Sequence, residues 1–276
     1  RISLKQKKQR KLNMNKKVDV IVLFGQSNME GYSLASYLPK EKLDFYQHGF
    51  QNIKMCYECN WSNISIDFVP VKLGQGFHDR KLRFGPEIGI AEEISRQKPN
   101  KEVYIIKYTL GGTRFKEHWN IKDGFCYYYF KKHIKYALDL LIKKGLVPCI
   151  KAVVYMQGES DSEHIEDALE YEKNEWELIQ DVFQFIAPYS IEKTIFLDCG
   201  VLNIVDCFPL YQETNKAKIK NANKDQRIVY LSTIDLGLTA TKERPEEIDY
   251  AHYDSGSMLI FGQKIADILL NRKLLD

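Results

Sequence analysis

Five short, near-continuous apolar runs rich in β-branched residues, at 18–24, 103–108, 151–156, 194–198 and 228–231, punctuate this chain at wide intervals. Strands with so little polar alternation belong in a sheet that is covered on both faces, which is the parallel kind. Between them lie longer amphipathic stretches at 86–96, 127–144, 165–185, 210–222 and 257–270, with helical spacing of apolar residues. Pro86 suits a first helical turn, and Glu87 then sits beside the positive end of the helix dipole. Strand–helix alternation implies right-handed crossovers and a three-layer α/β/α sandwich around a parallel sheet of about five strands.

Residues 32–83 break the rhythm. They mix Tyr46, Tyr57, Trp61, Phe68 and Phe77 with polar residues and offer only short strand-like pieces such as 66–71. This stretch reads as a long insertion over the carboxyl edge of the sheet, where it would line a substrate cleft. A length of 276 residues allows one large α/β domain or two small ones. No repeat, low-complexity tract or Pro/Gly-rich linker divides the chain, so residues 18–276 read as one domain.

The formal net charge of +3 rests on residues 1–17, where eight Lys and Arg have no acidic neighbour. Without them the body is mildly acidic, so nucleic-acid binding would depend on that arm alone, and the arm reads as a solvated, disordered tail. Met14-Asn15-Lys16-Lys17 has the form of a natural start, which would make residues 1–13 an upstream extension. No apolar run reaches membrane-spanning length and no signal-peptide pattern follows the arm, which points to a cytoplasmic protein without a membrane partner. The six cysteines are scattered, as buried thiols in a reducing compartment would be. Cys56-x-x-Cys59 lacks a second ligand pair, so neither a metal nor an organic cofactor is expected.

The chemistry concentrates where the apolar runs end. Residues 18–24 empty into Gly25-Gln26-Ser27-Asn28-Met29. A Gly turn there would hold the Ser27 hydroxyl at the carboxyl edge of the sheet, where open α/β folds keep their ligand sites. A nucleophilic serine needs a base and an oxyanion site. Of the six histidines, only His252 has a carboxylate suitably spaced to orient it, in Asp249-x-x-His252, and Asp254 or Ser255 would cap the helix that follows. Taken alone, that spacing is more often that of two ordinary loop residues. Run 103–108 leads to Gly111-Gly112, whose N–H groups are unshielded, although such a pair also makes plain tight turns. Run 151–156 delivers Gln157-Gly158-Glu159-Ser160-Asp161 to the same edge. There Gln157 could donate to an oxyanion, Glu159 suits a buried hydrogen-bonding role, and Asp161 suits capping. Met29 stands where the G-x-S-x-G elbow of α/β-hydrolases needs its second glycine, which sets that fold aside.

In chain order, Gly25-Gln26-Ser27-Asn28-Met29-Glu30-Gly31, Phe84-Gly85-Pro86-Glu87, Gly111-Gly112-Thr113 with Trp119, Gln157-Gly158-Glu159-Ser160-Asp161 and Asp249-x-x-His252 form a recognisable set. They resemble the sialate O-acetylesterase / acetylxylan esterase branch of the SGNH hydrolases (carbohydrate esterase family six and its relatives), over about residues 18–270. The resemblance implies a flavodoxin-like sheet and serine-dependent removal of acetyl groups from sugars. It makes Ser27 the nucleophile, His252 the base and Asp249 its orienter. The oxyanion donors would be the Ser27 N–H, an N–H of Gly111 or Gly112, and the side chain of Gln157, with Gln26, Asn28 and Glu159 in support. For the sugar, Arg83 and Arg114 are candidate ligands and Trp119, Tyr57, Trp61 and Phe77 candidate stacking surfaces; each aromatic could equally be core. Three rival functions remain: a sugar-binding protein without turnover, a general small-ester hydrolase, and a phosphate or nucleotide binder built on Gly111-Gly112-Thr113-Arg114. The last has neither a P-loop nor a G-x-G-x-x-G pattern.

Overall fold

The structure, a computed structural model, describes residues 16–243 and 249–275. The tail expected at 1–17 lies outside the described residues up to 15, and Lys16 and Lys17 already belong to the first strand. That strand, β1 (Lys16–Gly25), is buried from Val18 to its end and forms the middle of the sheet.

The remaining expected strands are β7 (Val103–Thr109), β8 (Leu146–Met156), β9 (Ser190–Cys199) and β10 (Ile228–Leu231), all parallel to their neighbours. Across the sheet they run β10-β9-β8-β1-β7. Numbered among these five, that is the flavodoxin order 2-1-3-4-5, whose direction of winding reverses at β1. Ligands of such sheets bind at the carboxyl ends of the strands flanking the reversal, here β1 and β8.

The helices follow the expected segments with shifts of a few residues: α3 (Glu87–Gln97), α4 (Phe125–Lys143), α5 (Ile165–Ile186), α6 (Tyr211–Ala222) and α7 (Ser255–Asn271). They enclose the sheet on both faces. Val20, Val22 and Phe24 point into one apolar layer with Phe130, Ile134, Leu178 and Val182 of α4 and α5. Ile21 and Leu23, one residue out of step, enter the other with Ile88 of α3 and Phe261 and Ile265 of α7.

The insertion departs most from expectation. It holds α2 (Lys40–His48) and a ten-residue strand, β3 (Phe50–Cys59), which pairs in parallel with β7 and extends the sheet. Among the described residues the parallel strands therefore number six, not five, and β4 (Asn63–Ile64) and β5 (Val69–Val71) add short antiparallel pairs to β3. Its two ends are pinned together as an antiparallel ribbon of β2 (Ser33–Leu34) and β6 (Arg83–Phe84). Cys56 and Cys59 enter apolar layers on opposite faces of the sheet, so they cannot share a ligand. All six cysteines are free thiols, and burial pushes Cys59 up to about 12. No helix among the described residues is long and apolar enough to cross a membrane.

Candidate active site

Gly25 makes the turn that presents Ser27. Its φ is 142°, and a Cβ there would lie 1.9 Å from the carbonyl oxygen of Met156, so no other residue fits. The chain then bonds Gln26 N–H to that same oxygen at 2.9 Å and coils at once into α1 (Ser27–Glu30). Ser27 lies at the first helical position, where N–H groups have no intrahelical partner.

Asn28 ties this turn to the two other loops expected at the site. Its side-chain nitrogen donates to Glu159 Oε1 at 3.1 Å and to the Ala251 carbonyl at 3.0 Å, and its oxygen accepts from Tyr253 N–H at 3.0 Å. The residues on either side of His252 are thus bonded to the neighbour of Ser27. Asp249 holds His252 as anticipated, with Nδ1 2.9 and 3.0 Å from the two carboxylate oxygens, and Oδ1 also accepts the backbone N–H groups of Ala251 and His252. A carboxylate only accepts, so Nδ1 carries a proton and Nε2 is the basic nitrogen of the neutral ring. The side chain of His252 contacts Asp249 and Tyr32, and a direct hydrogen bond to Ser27 is not made in this conformation. Such bonds commonly tighten only when substrate is bound.

Tyr32 was not anticipated. Its ring stacks on the His252 imidazole at 4.1 Å and 12°, Phe77 stacks on its other face at 4.4 Å, and the Arg83 guanidinium lies 5.5 Å from its centre. Arg83 also donates to the Tyr32 carbonyl and pairs with Asp79 at 2.8 Å. The β2–β6 ribbon therefore braces the base, and Arg83, expected as a sugar ligand, is nearly buried within that brace.

The Gly111–Gly112 loop meets the serine turn as expected. The two glycines differ sharply. A Cβ on Gly111 would sit 3.3 Å from Ser27 Cβ, 3.3 Å from Glu30 Oε2 and 3.1 Å from the Tyr32 hydroxyl, whereas one on Gly112 would meet nothing within 4 Å. Glu30 is buried, and its carboxyl oxygens receive no side-chain hydrogen bond among the described residues. Burial raises its pKa to about 7, offset only in part by Lys107 and the Gly111 N–H. Lys107, fully buried, donates to Glu87 at 2.7 Å and to the Glu30 carbonyl at 2.8 Å, which gives Glu87 of the Phe84–Glu87 segment a structural role.

Gln157 is placed at the same edge but does not donate into the site as expected. Its amide nitrogen is committed to the Thr113 carbonyl at 3.0 Å and to the Asp161 carboxylate, and its oxygen accepts from Tyr155 and Tyr171 at 3.1 and 2.9 Å. With both amide hydrogens used inside the protein, it acts as a brace beneath the glycine loop. Gln26, oriented to satisfy its neighbours, donates to Glu159 at 3.3 Å and to the Thr113 carbonyl at 3.1 Å. Asp161, expected to cap a helix, instead accepts Gln157 and the Phe115 N–H, and burial lifts it to about 6. Burial likewise lifts Glu159 to about 7, against the pull of Asn28 and Lys218. Asp254 does precede α7, but its carboxylate accepts from Thr239, Lys242 and Glu243 rather than from the helix.

Besides Arg83, two aromatic sugar-contact expectations fail. Trp119 is fully buried, with its indole N–H donating to Thr113 at 2.9 Å and its ring edge-on to Phe24, Tyr108 and Tyr155. Tyr57 also belongs to an apolar core layer. Arg114 pairs with Asp167 at 3.2 Å and with Glu117, in a cleft it shares with Glu163 and Glu166. That acidic lining repels phosphate and weakens the nucleotide alternative. Among the described residues no cluster of three His, Cys, Asp or Glu is arranged to hold a metal ion.

Comparison with known proteins gives a consistent assignment. The family model for carbohydrate esterases of the sialic acid-specific acetylesterase type matches residues 17–271. No curated protein matches the chain. Similar solved structures include NanS, at 15% identity over 93% of this chain and 98% of that one, TM-score 0.68. An Arabidopsis thaliana protein matches at 18% identity over 92% and 98%, TM-score 0.66. A carbohydrate acetylesterase from Xanthomonas citri, XAC1771, matches at 14% identity over 93% of this chain and 56% of that one, TM-score 0.58. At such identities these likenesses speak for the fold.

Proposed function

This chain belongs to the sialic acid-specific acetylesterase family of carbohydrate esterases, and from that premise we propose a serine esterase that removes O-acetyl groups from a carbohydrate through an acetyl-enzyme on Ser27. One observation carries the reading: Asn28 bonds the turn bearing Ser27 directly to the backbone on both sides of His252. Nucleophile and base are thereby joined through one buried side chain.

The steps follow from the chemistry of the groups. His252 Nε2 takes the Ser27 proton, and the serine oxygen attacks the acetyl carbonyl carbon. The Ser27 N–H, at a helix start, and an N–H of the Gly111–Gly112 loop stabilise the oxyanion. The imidazolium, steadied by Asp249 and stacked on Tyr32, protonates the departing sugar hydroxyl. Water then attacks the acetyl-enzyme with His252 again as base, releasing acetate and restoring Ser27. Gln157, Gln26 and Glu159 hold the loops without touching the reacting atoms.

The test is acetate release from a panel of O-acetylated sugars, including xylose and sialic acid esters, by wild type and Ser27→Ala. Release by wild type and its loss in the variant are expected; equal rates would refute the role of Ser27. Binding of acetylated sugar without acetate release would favour a non-catalytic sugar-binding protein.

A further inference from the structure

Beyond the acetyl-binding site, an exposed aromatic surface lies on the same edge of the sheet. Register places it. Cys59 of β3, Thr109 of β7 and Gly25 of β1 are aligned neighbours in one row. Beyond this row each chain turns, Cys59 into Asn60-Trp61, Thr109 into Leu110-Gly111 and Gly25 into Gln26-Ser27. The row itself sets Cys59 and Gly25, from which the turns bearing Trp61 and Ser27 start, two strand spacings or roughly 10 Å apart. Gly112, exposed and with nothing within 4 Å of an added Cβ, adds no side chain to the loop that follows the middle strand of this row.

Trp61 occupies an unfavourable turn. Asn60 and Trp61 have φ of 49° and 53°, and Ser62 N–H bonds to the Cys59 carbonyl at 3.3 Å. Two consecutive central residues at positive φ make the hairpin turn that favours Asn followed by Gly. Here the second place, where glycine relieves strain, carries the largest side chain, and it is 51% exposed. Strain of this kind persists where function holds it. Asn60 N–H to the Thr109 carbonyl and Asn63 to the Gly74 and Gly76 carbonyls lock the hairpin in place.

Trp61 is not isolated. Its ring lies 5.7 Å from Phe125 and 6.5 Å from Tyr129, both partly exposed on α4, and the surface continues into a cleft of about 480 Å³ lined by Phe125, Tyr128 and Tyr129. Lys122, Asp123 and Lys131 supply polar groups to the same cleft. A flat apolar face with polar groups around it matches a pyranose ring, whose C–H face is apolar and whose hydroxyls point outward.

The geometry points to Trp61, with Phe125 and Tyr129, as a stacking platform for a sugar ring of a glycan chain, one or two rings from the acetylated one. This rests on the acetylesterase reading and narrows it: the substrate is an acetylated oligosaccharide rather than a free sugar.

The test uses Trp61→Gly, which suits the turn. Kinetics on p-nitrophenyl acetate, O-acetylated xylose and O-acetylated xylotetraose are compared with calorimetric titrations of unacetylated xylotetraose, cellotetraose and sialyllactose. The variant should melt no lower than wild type. It should keep its rates on the two small substrates, lose about tenfold or more in kcat/KM on the tetraose through KM, and lose about tenfold or more in affinity for at least one oligosaccharide. Equal change on small and large substrates, or no oligosaccharide response in the wild type across the panel, would overturn the platform. Absence of hydrolysis of every acetyl ester by wild type would instead count against the esterase reading, with the titrations still reporting on Trp61.

Discussion

Asn28→Ala would test whether one buried amide holds nucleophile and base in register. The substitution removes three hydrogen bonds, to Glu159, Ala251 and Tyr253, without adding bulk. At about 1 kcal/mol net for each, stability should fall by roughly 3 kcal/mol, and by more if Glu159 Oε1 is left without a donor. For a chain of this size that corresponds to a Tm lower by about 6–12 °C. Activity should fall further than stability implies, because the 249–253 segment loses its tie to the serine turn, and a displacement of about 1 Å costs on the order of 10²-fold in rate. Circular dichroism at the assay temperature, beside kcat and KM on an acetylated sugar, separates the two effects. A fully folded Asn28→Ala with kcat within about threefold of wild type would refute the coupling.

Two further outcomes follow from the buried polar groups. Gln157→Leu should mainly destabilise, because it strands the Tyr155 hydroxyl and takes one partner each from the Tyr171 hydroxyl, the Thr113 carbonyl and Asp161; an unchanged Tm with a fall of about 10²–10³ in kcat would restore the oxyanion role expected from sequence. Glu30 takes up its proton more tightly when folded, at about 7 against an ordinary 4.5, so its contribution to stability is complete below about 4.5 and lost as pH rises through 7. That step is worth roughly 3 kcal/mol. Glu30→Gln should therefore gain Tm relative to wild type between pH 5 and pH 8, and parallel melting curves would contradict the assignment.

The sheet was largely legible because β1, β7, β8 and β9 are buried on both faces toward their carboxyl ends and leave unbroken apolar runs, as does the short edge strand β10. β3 escaped notice because Gln51, Asn52, Lys54 and Glu58 interrupt it, as suits a strand near the sheet's edge. The catalytic candidates were legible because chemistry restricts residue type at strand ends. Tyr32 was not, since its partnership with His252 spans 220 residues and depends on how the insertion folds back. The strand pattern puts Gln157 at the carboxyl edge but says nothing of its bonds, because the competing acceptors, Thr113 and Asp161, are brought to it only by the fold. Trp119 shows the same limit: nothing local distinguishes an aromatic that stacks on sugar from one that fills the core.

Acetyl transfer by this route passes through a covalent intermediate at one hydroxyl. Rapid quench of wild type and Asp249→Asn during turnover of an acetylated sugar, followed by peptide mass spectrometry, reads it directly. One added acetyl group is expected on the peptide containing Ser27, absent in Ser27→Ala. Acetylation confined to another residue, or unimpaired turnover in Ser27→Ala, would contradict it.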